Sequence, residues 1–310
     1  MRSLLLKQPY AQSATGSGSA QTIKVGPESF AYAPTKRIDV VFYFLSNNTT
    51  TGFTFANIMT QMGGSAANFL LDTGLPIKKV VDFVNIQDLV MLLWQYFGEP
   101  PPNVQGGTTN NTVNSLTLPI WFGLPWRDNE GLPPTNLNFS WSIHANANEI
   151  DGAIVSLVQY IEPKAVYNKT LVYSSKDGPT PSTTLRKDFP FPLHDLDQEV
   201  LIDLIFQTTG SRTTTATTTI EDYYLMKDGS VFGDKIDVEH IMMQYKPHLG
   251  NICGVSPQTT IDDYIALDWR KILGRPFVPR LADVQAQYGI NFLGGDTNAV
   301  RDVQLAYVPL

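Results

Sequence analysis

Four histidines (His144, His194, His240 and His248) and one cysteine, Cys253, are the side chains best suited to nucleophilic or metal chemistry. A structural or catalytic zinc site needs His or Cys ligands at short, fixed spacings. None of the four histidines has such a neighbour, and His-Glu-x-x-His does not occur. His194-Asp195-Leu196-Asp197 sets a histidine beside two carboxylates. That group could ligate a metal, but a solvated strand entry is the better reading. His144 closes an alternating segment on its polar side, which reads as solvent-facing or hydrogen-bonded. Cys253 would need a placed histidine to act as a nucleophile. His248 is near only in sequence, so the thiol reads as buried or incidental.

Two carboxylate pairs, Glu221-Asp222 and Asp262-Asp263, each follow a threonine by two residues (Thr219 and Thr260). Acids placed so offset the exposed N–H groups of a helix's first turn, and both pairs are expected to be helix starts. General acid–base work would need such a pair across a cleft. No phosphate-binding loop, dinucleotide fingerprint or Gly-x-Ser-x-Gly elbow is present. Trp121, Phe122 and Trp126 could stack on sugars or bases if exposed. However, "ALDWRKILGRPFVP" fills the corresponding place later in the chain, with Trp269 near the position of Trp121. Rings written twice read as anchors of two cores, each contributing about 1.5–3 kcal/mol on burial. The expectation is a protein that is not an enzyme, with no catalytic residue, no cofactor and no metal.

Charge and composition narrow the partners. Net charge is −7, and the densest basic pairs are Lys36-Arg37, Lys78-Lys79 and Arg186-Lys187. Neutralising phosphates needs a face rich in Lys and Arg, so direct sequence-specific nucleic-acid binding is not expected. A single cysteine excludes an intrachain disulfide. The start, Met1 to Lys7, has an apolar run of three leucines, below the ~7–15 of a signal peptide. No segment approaches the ~18 apolar residues of a spanning helix. Asn48, Asn110, Asn138 and Asn168 fit the glycosylation triplet, by chance in a chain rich in Asn and Thr.

These residues need a scaffold, and the chain writes its scaffold twice. Ile38-Asp39 recurs 164 residues on as Ile202-Asp203, with Phe42 and Phe206, Thr49–Thr51 and Thr213–Thr215, and Met62 and Met226 in step. Leu137, Phe139, Trp141 and Ile143 alternate with polar residues, as Val284, Ala286, Tyr288 and Ile290 do 147 residues later. Tyr160 and Tyr307 share that second spacing. The first half thus holds 17 residues more. A helix near 85–98, "NIQDLVMLLWQYFG", is the expected insertion. Asn85 is its N-cap, Gly98 its left-handed terminator, and Leu89, Leu92, Leu93, Tyr96 and Phe97 its apolar face.

Alternating strands with Gly, Asn and Pro turns, repeated at roughly 145 residues, fit whole β-sandwiches rather than solenoid repeats. Residues 1–22, polar and Gly/Ser-rich after the first turn, read as an N-terminal arm that orders against something else. Residues 23–163 form the first sandwich. Residues 164–310 form the second, including a linker near 164–185 with the Lys176-Asp177-Gly178-Pro179 turn signal.

A duplicated sandwich with a polar arm resembles the double jelly-roll major capsid proteins of tailless icosahedral viruses, over about Ile23 to Leu310. The resemblance implies an all-β fold of two tandem eight-stranded jelly rolls with a few short helices. It implies homotrimers with a pseudo-hexameric outline that tile an icosahedral shell. It implies neighbouring capsomers, penton or minor capsid proteins, and an internal membrane reached through the arm as partners. Synthesis would be in the host cytoplasm and residence in the virion shell. Arg2, Leu4, Leu5, Leu6 and Lys7 are then candidate arm contacts with a neighbour or an anionic bilayer; three leucines alone bind a bilayer weakly. The competing expectation is a tandem β-sandwich that binds glycans as a spike or attachment protein.

Overall fold

The computed structural model describes residues 2–5, 10–12, 20–25, 33–46, 69–77, 79–83, 86–98, 112–144, 150–177, 186–190, 198–207, 222–227, 230–231, 236–237, 264–276, 288–293 and 300–310. The chain divides into two compact units, Met1–Ser174 with Val308–Leu310, and Ser175–Tyr307. Residues 164–174 cluster with the first unit, apart from the rest of the expected second sandwich, 164–310. Backbone pairing explains the difference. Leu171 N–H donates to Phe122 O at 2.9 Å and Gly131 N–H to Lys169 O at 3.1 Å. Tyr173 and Ser174 run parallel to Val81 and Asp82.

In the first unit, β4 (Thr35–Ser46) runs antiparallel between β7 (Thr112–Trp121) and β9 (Ile150–Ile161). β1 (Arg2–Leu5) and β2 (Tyr10–Gln12) pair with the other side of β9. Within the expected arm of residues 1–22, the edge of β9 supplies the hydrogen-bond partners of these two backbones. A second sheet places β8 (Leu137–His144) between β3 (Ala20–Val25) and β5 (Phe69–Thr73). It continues through β6 (Lys79–Phe83) to β10 (Lys169–Asp177).

The second unit repeats this plan. β12 (Glu199–Gln207) runs between β16 (Tyr264–Asp268) and β18 (Val300–Pro309). β17 (Tyr288–Leu293) runs between β11 (Arg186–Pro190) and β13 (Asp222–Lys227). The short strands β14 (Ser230–Val231) and β15 (Ile236–Asp237) pair with β13. Six strands thus recur in the same chain order with the same neighbours. Asp222 opens a strand, so the helix start expected at Glu221-Asp222 does not form; the aromatic and apolar run Tyr223–Met226 suits a pleated surface better.

Register makes the equivalence residue by residue. Ile38 lies opposite Ile120 and Gln159, and Ile202 opposite Asp268 and Leu305. Trp121 and Trp269, one residue further, share a place, as the sequence spacing suggested. The tyrosines do not. Tyr160 faces Arg37 while Tyr307 faces Glu199, so Tyr307 stands where Ile161 does, opposite Thr35. Each first strand carries an irregularity near its start, between Thr35 and Arg37 and between Val200 and Ile202. Such bulges are invisible to a spacing argument.

Packing follows from alternation. Ile38 and Val40 of β4, Leu118 and Ile120 of β7, and Phe69, Leu71, Leu137 and Phe139 of the facing sheet are buried. The Phe69 and Phe139 rings meet edge to face at 5.0 Å. Asn138 points out between Leu137 and Phe139. Helix α1 (Ile86–Phe97) ends at Gly98, whose φ of 69° is the left-handed conformation that a Cβ disfavours. It is buried well beyond one face: Val90, Met91 and Trp94 are enclosed along with Leu89, Leu92 and Leu93. Helix α2 (Trp269–Leu273) is capped by Asp268, which accepts from the Arg270 and Lys271 amides.

Candidate functional site

The most elaborately built place in the first unit is the corner where β4 begins. Lys36 sits at the irregularity and is almost fully enclosed. Its ammonium donates to the Glu130 carbonyl at 2.7 Å and to the Arg127 carbonyl, and lies 5.6 Å from the Tyr167 ring centre. Burial lowers the Lys36 pKa, and the charges of Glu162, Glu130 and Asp128 oppose that shift. The buried Glu130 carboxylate accepts from Leu124 N–H at 3.2 Å and has Arg127 and Lys169 each at 3.8 Å. Gly123 lies so close that a Cβ there would fall 2.3 Å from the Glu130 carbonyl oxygen. The 122–131 loop is thus fixed by a buried charge and a close backbone contact.

That corner also holds a second loop. Asn168 N–H donates to Asn129 O at 3.1 Å, and Leu310 N–H to Asn168 O at 2.9 Å. Tyr167 OH donates to Glu162 at 3.0 Å; burial first, then the Glu162 charge, pushes the Tyr167 pKa up strongly. On these tethered loops stand three apolar side chains in solvent: Trp126 at 71% exposure, Val166 at 85% and Leu310 at 44%. A rigid base under exposed apolar groups is what a docking surface requires, because little ordering entropy is lost on contact.

Next along β4, Arg37 and Asp39 form a two-pronged ion pair at 2.5 and 2.8 Å. Tyr160 OH adds a bond to Asp39 at 2.9 Å, and that bond is the chief reason its pKa is raised. The Arg37 guanidinium lies 4.8 Å from both the Trp121 and the Tyr160 ring centres. Phe97 of α1 stacks on Trp121 at 6.4 Å. The Trp121 indole N–H is buried and meets no acceptor among the described residues.

At the same rung of the second unit, Asp203 is fully buried. It accepts from the Trp269 indole N–H and, at 3.0 Å, from the Gln304 amide. Asp302, also fully buried, lies on the same strand as Gln304. Sequence reading passed over both acids. The available signal was a lone Asp within the otherwise apolar "VLIDLIF", and "RDVQLAYV" read the same way.

The residues weighed for chemistry are scattered. Arg2, Leu4 and Leu5 lie in β1, opposite Ile161, Gln159 and Val158; Leu6 and Lys7 fall outside the described residues. His144 ends β8 opposite Ala20. Asn85, His194, Asp195, Asp197, Glu221, His240, His248, Cys253, Asp262 and Asp263 lie outside the described residues. Trp121 and Phe122 are buried while Trp126 is exposed, so no three-ring platform forms. No group of three or more metal-ligating side chains occurs among the described residues.

Two units of matching strand order, each built from the same six antiparallel strands, define a double jelly roll. Solved structures share that fold along their whole length. The major capsid protein of Sulfolobus Turreted Icosahedral Virus superimposes with a TM-score of 0.65 at 13% identity, over 99% of this chain and 96% of that one. The major capsid protein of bacteriophage PM2 gives 0.58 at 10% identity, over 100% and 97%. A chain of the PBCV-1 virus capsid gives 0.54 at 10% identity, over 99% and 92%. No protein-family model matches the sequence, and no curated protein is significantly similar to it.

Proposed function

We propose that this chain is a viral major capsid subunit, three copies of which form a pseudo-hexameric capsomer of an icosahedral shell. The observation that carries the reading is the duplication: two units of one strand plan in one chain, in a fold shared over nearly its full length with viral major capsid proteins. Three chains bring six similar units, so a threefold assembly presents a nearly sixfold outline. Neighbouring capsomers, penton or minor capsid proteins are the partners this role requires. Arg2, Leu4, Leu5, Leu6 and Lys7 are proposed contacts to a neighbour or a bilayer, and the net charge of −7 suits a shell not bound directly to its genome.

The purified chain should sediment as a trimer and show six-lobed particles by negative-stain electron microscopy. A chain that stays monomeric at every concentration and salt overturns the reading. Glycan attachment is the second reading, and the exposure of Trp126 favours it. Glycan binding by the wild type that is lost in Trp126→Ala, without trimers, would replace the first reading with the second.

A further inference from the structure

Two buried carboxyl groups share one face of the second unit. Asp203 on β12 lies directly opposite Gln304 on β18, and Asp302 is two residues from Gln304, hence on the same side of the pleat. Asp203 is supplied with donors by Trp269 and Gln304. Asp302 is not: both of its oxygens are enclosed without a hydrogen-bond donor in good geometry among the described residues. Two carboxylates shut away together cannot both ionise without a large desolvation and repulsion cost.

We propose that Asp302 and Asp203 share a single proton at neutral pH, carried by Asp302 and donated to Asp203, and that its loss in alkali loosens the β12–β18 ladder. The pair is then a pH-sensitive latch within one folded unit, whether or not the chain assembles.

The surrounding groups agree. Lys176 is the cation acting on Asp302, and the Val303 amide helps less; both are outweighed by burial and by Asp203. From α2, Trp269 faces the pair, while Arg270 and Lys271 are exposed. On β16, Asp268 is occupied with the amides that start α2. Arg301, the neighbour of Asp302, lies on the other side of the pleat. Burial raises the Asp203 pKa to about 7, against the pull of Trp269, Gln304 and Asp302. Burial, then the Asp203 charge, raises Asp302 well above the carboxylate range.

A carboxyl with a raised folded pKa keeps its proton longer than the unfolded chain does. Stability from this pair is therefore greatest in acid, below about pH 4 where unfolded carboxyls titrate. It falls as pH rises to about 7 through Asp203 and continues to fall until Asp302 ionises. Each excess proton makes the unfolding constant rise about tenfold per pH unit.

The test is urea unfolding of the full chain, followed by tryptophan fluorescence from about pH 5 to about pH 9, for wild type and Asp302→Asn. The wild type should lose stability with rising pH, and the variant should keep the slope below about pH 7 that belongs to Asp203 and lose the slope above it. Equal slopes overturn the proposal. If the variant does not fold, infrared difference spectra of wild type labelled with 13C-aspartate decide. A labelled protonated-carboxyl stretch at neutral pH that vanishes in alkali supports the shared proton, and its absence overturns it. Stabilisation by calcium that persists in alkali overturns it too, since a cation would then be holding both carboxylates ionised.

Discussion

Asp39 and Asp203 occupy the same rung of two equivalent ladders, and their surroundings are opposite. Asp39 is held by Arg37 and Tyr160 at a partly open site. Asp203 is sealed, with an indole, an amide and a second acid around it. The tryptophans follow suit. Trp269 gives its N–H to Asp203, whereas Trp121 serves Arg37 with its ring face and leaves its N–H without an acceptor among the described residues. One substitution in the plan accounts for much of this, because Leu201 stands where Arg37 does. The duplicated backbone keeps the rung; the side chains around it decide whether the acid is an ion-pair partner or a buried proton holder.

Tryptophan removal should split the two units most widely. Trp269→Ala deletes a fully enclosed ring and a donor to Asp203, and should cost about 3–5 kcal/mol in urea unfolding. Trp121→Ala leaves the Arg37–Asp39–Tyr160 bonds in place and should cost less by about 1–3 kcal/mol, the penalty of an orphaned buried acceptor. Equal losses would erase the contrast.

Lys36→Met tests the corner that has no charged counterpart at Val200. It strands the Arg127 and Glu130 carbonyls and should cost about 1–3 kcal/mol, with faster hydrogen exchange at Leu124 and Gly131. Unchanged exchange would mean the lysine does not hold the loop.

Arg37→Lys keeps the charge and loses the two-pronged geometry and the ring stacking. It should cost about 1 kcal/mol by thermal unfolding. A neutral result would mean that the two-pronged geometry adds nothing to the hold on Asp39.

Trp126→Ala should move stability by no more than about 0.5 kcal/mol, since the ring is exposed. If the proposed subunit role holds and this ring meets a neighbour, Trp126→Ala weakens self-association by sedimentation velocity. A loss of stability instead would make the ring part of the corner.

Much of the duplication was legible because alternation and paired letters report strands directly. Ile38-Asp39 with Ile202-Asp203, and Trp121 with Trp269, were in step by spacing and are in step by register. The helix end at Gly98 was readable for the same local reason. Bulges were not, so Tyr160 and Tyr307 matched by letter and not by place. Asp222 carried a local helix signal that long-range pairing with β17 overrode. The Lys36 corner and the Asp203–Asp302 pair draw on residues about a hundred positions or more apart, a separation over which pattern reading sees nothing.

The strap formed by β1 has a consequence for how the molecule is made. Arg2 is synthesised well before its partner Ile161, which lies 159 residues further along the chain. Pairing so distant in sequence is slow, and unmatched edges on a growing chain invite association with other chains. The opening residues must stay uncommitted until the ninth strand is complete. Closing the strap then masks one flank of a sticky sheet, which makes it a natural late step in completing the first unit.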